Sequence, residues 1–356
     1  MRSRLLFAPG LALVLPFVAA VVPEAYAQIS CGTIDLPPCP PPPSPPPPTP
    51  ASAADVQAVA ATSQGLIRNN SRAVVAIIDL HLLDVLRDLA RGLQPSSSGG
   101  DRASGLAAGD VPVTYAVWGD AAGSYLSNDS AGNAYQGRAV TALAGIEATI
   151  GQSWVVGVSA GYSHSAFSVL ELNGTRTAEA ALAGPYAAYV IDEHFTVDAS
   201  LTYWKLRNQT TANGGTSSGD FGSYRYVGAV NANAFADWGP VSLTGFGGYT
   251  YAWEHAAGYV DSANTAFPSA IIRYGALRLG GEASYPIGDA EPYLPLTYSF
   301  ETTTPHDGTT RNSVIVGLGI RYRVGDQLKL GLVANAELFR QHQQDDSIEA
   351  NLRFSF

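Results

Sequence analysis

Four of the six histidines, His164, His255, His306 and His342, fall near the ends of alternating stretches, with Ser163, Ser165, Asp261 and Asp307 close to them in the chain. These are the residue types of an activated nucleophile, provided that the base touches the nucleophile and a third group orients the base. The segments YSHSAF and TPHDGT supply the types without a recognisable spacing. They read as polar loop residues, and no catalytic residue is assigned. The two cysteines, Cys31 and Cys39, both sit in a Pro-rich leader, so neither a Cys-based metal site nor a cofactor is expected. The net charge of −10 argues against a nucleic-acid partner.

The elements that would position such residues begin after the export signal. Arg2 and Arg4 precede an apolar stretch that ends near Val22, followed by Ala25-Tyr26-Ala27, which fits a small-x-small cleavage site. Residues 1–27 therefore read as a signal peptide; Pro9, Pro16 and the short apolar core speak against the alternative of a membrane anchor. In an exported chain Cys31 and Cys39 can close a small disulfide loop. Residues 28–52 form a Pro-rich leader whose tract LPPCPPPPSPPPPTP is an extended spacer reaching about 40 Å. Residues 53–95 change to a helical period, with Val74, Ile78, Leu82, Val85 and Leu89 on one stripe. Ser71 is the expected N-cap and Gly92 with Pro95 the stop, giving a helix over 72–91 of about 30 Å. Residues 96–112 read as a flexible linker.

From residue 113 onward, alternation and turn punctuation give twelve candidate strands, most of them long enough to cross a bilayer when tilted. Short turns, such as 151–153 and 288–289, alternate with long loops at 208–223 and 254–271. In WVVGVSAGY, Trp154, Val156, Val158, Ala160 and Tyr162 share one face, while small and polar residues share the other. Later strands put Arg278, Glu282, Glu301, Arg321, Arg323, Lys329, Glu337, Glu349 and Arg353 opposite the apolar band. Such charges are costly in a dry sandwich core but tolerable in a wet lumen. Their mixed sign suits a plugged pore better than a strongly selective one. The fold class is all-β: a 12-stranded antiparallel transmembrane β-barrel over residues 113–356, preceded by an N-terminal α-helix and a Pro-rich segment.

A signal peptide, a low-complexity segment, a helix, twelve strands and a terminal phenylalanine together resemble an autotransporter, the type V secretion proteins. The stretches YAVWGDAAGSY, VVGVSAGYSHSAF and LRFSF are similar to the opening, third and closing strands of that family. The resemblance implies an outer-membrane translocator barrel that is not an enzyme, in contact with outer-membrane lipid, the barrel-assembly machinery and periplasmic chaperones. Its assembly signal would be Phe356, Phe354, Leu352, Ala350 and Ile348 on the last strand. Some family members cut an Asn-Asn bond inside the barrel; Asn69-Asn70 is the corresponding pair, read more simply as a helix-start cluster. Only residues 28–111 remain for a passenger, and they carry no β-helix repeat. The alternative is a stand-alone pore or structural barrel whose helix and Pro-rich arm stay in the periplasm.

Overall fold

A computed structural model describes residues 46–92, 112–325 and 327–356. The signal peptide, most of the Pro-rich leader and nearly all of the linker lie outside the described residues. Twelve strands alternate exposed and buried side chains along their length: β1 (Val113–Asn128), β2 (Tyr135–Ile150), β3 (Trp154–Val169), β4 (Gly174–Val190), β5 (Phe195–Ala212), β6 (Ser217–Trp238), β7 (Val241–Ala256), β8 (Ala270–Ser284), β9 (Ala290–Glu301), β10 (Asn312–Val324), β11 (Leu328–Leu338) and β12 (Gln343–Ser355). Each pairs antiparallel with the next, and β12 closes on β1 with Arg353 opposite Trp118 and Ser355 opposite Ala116. Closure leaves no open sheet edge in the barrel.

The outward face is the apolar one. Val158, Leu201, Val230 and Leu279 are exposed on it, with Trp154 packed on Tyr189 toward the turn end and Tyr203 on Tyr226 toward the loop end. An apolar band flanked by aromatics is what a bilayer requires of a barrel. Among the described residues no helix is long and apolar enough to cross a membrane.

The helix α1 (Ala53–Ala90) starts earlier than the sequence suggests. Its N-cap is Ser52, whose hydroxyl accepts from the Asp55 N–H at 3.1 Å, and Ser71 lies mid-helix. The 38 residues span about 57 Å rather than 30 Å. At the other end Gly92, at φ 66°, donates to the Leu89 carbonyl, the left-handed stop expected there. Two loops also differ from expectation. Asn208 and Ser223, read as loop ends, instead pair across extended strands at 3.1 Å, leaving only 213–216 to connect β5 and β6. The leader's last residues are not plain spacer either, because Thr49–Pro50 forms a parallel strand on Thr265–Phe267.

The helix passes through the lumen, with the barrel strands packed around it. One side packs dry: Ile67, Val74, Ile77, Ile78, Leu82, Val85 and Leu86 are buried against inward residues such as Leu143, Leu182, Trp204 and Val227. Each such side chain contributes about 1.5–3 kcal/mol of burial. The apolar stripe thus has its partner inside the barrel. On the opposite side Arg72, Asp79 and Leu83 face a cavity of ≈ 200 Å³ whose far wall includes Thr244, Thr297 and Asn335.

Candidate functional site

The interface between α1 and the lumen wall is the candidate site, and its polar groups lie in three levels. Toward the loop end, Arg68 is fully buried, with Nε 2.6 Å from Glu301 Oε1 and Nη1 2.7 Å from Asp307 Oδ2. Arg340 shares Glu301 at 2.6 Å and reaches Glu337 at 3.0 Å, while Arg72 reaches the same Glu337 at 2.8 Å. Strand alternation aims Glu301 and Glu337 inward; helical spacing aims Arg68 and Arg72, one turn apart, at them. Burial alone would push the Asp307 carboxyl up, but the Arg68 guanidinium and hydrogen bonds from Thr309 hold it below the ordinary carboxylate range.

At mid-height His81 stacks on Trp118, with ring centroids 4.4 Å apart, and its Nε2 lies 2.7 Å from Glu147 Oε2. Trp118 Nε1 donates to the Tyr186 hydroxyl at 2.6 Å; Tyr186 donates to Glu147 at 3.3 Å, and Arg353 donates to Glu147 Oε1 at 2.9 Å. Toward the turn end Asp84 meets Arg321 Nε at 2.9 Å, Arg87 meets Glu291 at 2.8 Å, and Lys329 pairs with Asp88. Buried pairs of this kind contribute little net stability, but breaking one is expensive. They fix the helix in one register.

The lumen charges expected from sequence thus mostly find partners on the helix. Arg323 does not: it is exposed at the turn end of β10. Glu349 lies beside the carboxyl of Asp120 on neighbouring strands. Arg68, His81, Asp84, Asp88 and Glu147 escaped the sequence reading. Their signal was charge at helical spacing facing charge at strand spacing, visible only once the helix is known to occupy the lumen.

The histidine, serine and aspartate set does not converge. His164 is exposed on the outer face 3.9 Å from Glu179, whereas Ser163 points inward to Thr141 at 3.0 Å. His255 packs on the Tyr224 ring, and His342 pairs with Asp129 at 2.9 Å on the loop rim. His306 lines a second cavity beside Tyr259 and Phe267. Asp307 is occupied by Arg68, and Ser165 hydrogen-bonds Asn70 Oδ1 at 3.4 Å. Asp261 braces its own loop. Burial raises its carboxyl, and donation from Ser217 and from the Thr265 and Ala263 N–H groups brings it below its usual range. Asn69 and Asn70 lie in the helix rather than at its start. Asn69 Nδ2 donates to Asp345 Oδ1 at 3.2 Å, and Ser124 donates to Asn69 Oδ1 at 3.1 Å. Phe356, Phe354, Leu352, Ala350 and Ile348 are all exposed on the outward side of β12.

At the loop mouth the chain entering the helix is held by the loop of residues 257–269. Thr49 N–H donates to the Asn264 carbonyl at 2.9 Å and Ala51 N–H to Ala266 at 3.0 Å. Tyr259 is stacked between Phe221 and Phe267 at 4.8 and 4.7 Å and stiffens the receiving edge.

The family description Autotransporter beta-domain matches residues 117–335, more than half of the chain. The chain belongs to the autotransporter β-domain family. No curated protein matches it. Among solved structures the translocator domain of the autotransporter NalP from Neisseria meningitidis is similar, at 13% identity and a TM-score of 0.60, over 80% of this chain and 98% of that one. The β-domain of the Bordetella autotransporter BrkA follows at 16% and 0.57, over 68% and 100%. The transport unit of AIDA-I from Escherichia coli is similar at 12% and 0.57, over 76% and 96%. At these identities the structural matches carry the fold, a translocator barrel. The family sets this autotransporter β-domain in the outer membrane, in contact with its lipid.

Proposed function

We propose that this autotransporter exports its own short N-terminal segment through the barrel and then keeps the pore closed with α1. The observation that carries the reading is polarity. Ser52 caps the helix at the loop end, where Thr49–Pro50 pairs with Thr265 and Ala266, and both ends of the barrel sheet, Val113 and Ser355, lie at the turn end. A chain with this threading leaves the lumen by the loop mouth. With the loops outward, the Pro-rich segment is displayed at the cell surface and the linker stays periplasmic. The reading assigns no catalysis to the barrel.

Assembly by the barrel-assembly machinery, after passage with periplasmic chaperones, is part of this reading. The apolar outward row of Phe356, Phe354, Leu352, Ala350 and Ile348 on the closing strand supports it. A second reading, cleavage between Asn69 and Asn70, is favoured by the Asp345 carboxylate 3.2 Å from the Asn69 amide nitrogen, a base beside the group that would attack. The mass of the membrane-extracted barrel tests it. A fragment beginning at Asn70 supports cleavage, and a barrel that retains α1 excludes it.

Export is tested with an epitope inserted at residue 44. Protease added to intact cells should remove it from the full chain. In a chain lacking residues 113–356 the epitope should be protected. Protection in both leaves the stand-alone barrel with a periplasmic arm as the better reading.

A further inference from the structure

Arg225, Arg278, Arg321, Arg340 and Arg353 pair with carboxylates inside the barrel, but several cations on the outer face, Arg138 among them, have no such partner among the described residues. Lys205 and Arg207 on β5 and Arg273 on β8 are exposed, and among the described residues their side chains have no ion pair or hydrogen bond. Lys205 stands ten residues above Phe195 on the same outward row, about 25 Å up a tilted strand, which is the height of an apolar band. A charge at that level must meet a headgroup or water.

The surroundings narrow the choice. Between Lys205 and Arg273, three strand spacings and a two-residue register step or about 16 Å apart, lies a set of outward aromatic rings. Tyr203 packs on Tyr226 at 5.2 Å, Tyr224 on Trp253 at 5.5 Å and on His255 at 5.3 Å. Pairing sets Lys205 opposite Tyr224 and Arg273 opposite Trp253. Two carboxylates lie farther out than Lys205: Glu179, opposite Arg207 and near His164, and Asp220, opposite Gln209. At the turn end the exposed charges are largely acidic, with Asp192, Glu193, Asp237 and Asp289. Among the described residues the unpaired cations of the outward rows stand at the loop end, and Arg323, exposed at the turn end, shares the inward row of Arg321.

We infer that the outward face of β5 to β8 at the loop-end boundary binds the phosphorylated disaccharide headgroup of an outer-leaflet glycolipid of the lipid A type. Lys205 and Arg273 each take a phosphate, and the rings of Tyr224 and Trp253 pack against the sugars. Arginine and lysine differ here: Arg273 can grip two phosphate oxygens, while Lys205 acts as a point charge. The site rests on the loop-outward orientation proposed above, because only the outer leaflet supplies this lipid.

The test uses the full chain in detergent, and retention of added lipid is read by native mass spectrometry. Bis-phosphorylated lipid A should be retained, dephosphorylated lipid A and phosphatidylethanolamine should not, and inorganic phosphate in large excess should fail to displace it. The double variant Lys205→Gln/Arg273→Gln should retain about tenfold less or weaker still; Lys205→Arg should stay near the parent. Equal retention of phosphorylated and dephosphorylated lipid by the parent overturns the site without any variant. Displacement by free phosphate overturns it in favour of a simple anion site. Binding in detergent does not depend on orientation in the cell, so its failure leaves surface display standing, and failed display leaves this result standing.

Discussion

Arg68 Nε lies 2.6 Å from Glu301 Oε1 with both side chains fully buried, joining the middle of α1 to the end of β9. This contact makes the helix part of the barrel rather than a loose occupant. Glu301→Gln removes the charge shared by Arg68 and Arg340 and leaves two buried guanidiniums short of a partner. The expected cost is about 3–5 kcal/mol, read as a fall in the temperature at which the folded band is lost on a gel. Arg91→Ala breaks a pair with Asp237 whose carboxylate is 56% exposed. It should cost under about 1 kcal/mol, and an equal loss from both variants would sink the distinction.

The Asp307 carboxyl, held below its ordinary range by Arg68, sets a direction for pH. Its depressed folded value means that its contribution is full above the unfolded carboxylate range and is lost as pH falls through the folded value. Thermal stability measured between pH 7 and pH 3 should therefore drop more in the parent than in Asp307→Asn, which starts lower and has less to lose. Parallel curves would remove Asp307 from the account.

The loop-mouth clamp depends on two N–H groups in a proline-rich segment. Residues 45–48 and Pro50 are prolines without a donor, so the backbone N–H groups offered to the hairpin are those of Thr49 and Ala51, while Asn264 Nδ2 donates to the Pro47 carbonyl at 3.4 Å. Thr49→Pro keeps the extended backbone and deletes one bond, worth about 1 kcal/mol. Hydrogen exchange at Ala51 should accelerate by about fivefold, while barrel strands stay unchanged. An unchanged rate would mean that the clamp does not hold the segment.

If α1 closes the pore, deleting residues 53–92 should raise single-channel conductance in planar bilayers, because both the dry interface and the three polar levels vanish together. A residual cavity of ≈ 200 Å³ remains beside the helix along Arg72, Asp79 and Leu83. No rise on deletion would contradict plugging.

Much of this was legible in the sequence. Strict alternation in segments such as WVVGVSAGY fixed which side meets lipid, because a strand offers only two faces. The same rule explains why YSHSAF could not be a catalytic unit: Ser163 and Ser165 point into the lumen and His164 away from it. The helix start was misread for tertiary reasons. Asn69-Asn70-Ser71 looks like a start, yet Ser124, Asp345 and Ser165 wait in the wall to satisfy the two amides. Gly65 looks like a break, but a Cβ there would come within 2.0 Å of the Tyr135 hydroxyl. The ion pairs belong to neither element alone, so no single-segment pattern contains them.

The central claim, that the chain N-terminal to α1 leaves by the loop mouth to the outside, can be measured with the two native cysteines. Cys31 and Cys39 are the only thiols in the chain. Intact cells are treated with a mild reductant and a maleimide that cannot cross the outer membrane, and the protein is then isolated. Labelling of both cysteines without permeabilisation is the expected result. Labelling that requires disruption of the outer membrane would contradict the account and return the segment to the periplasm.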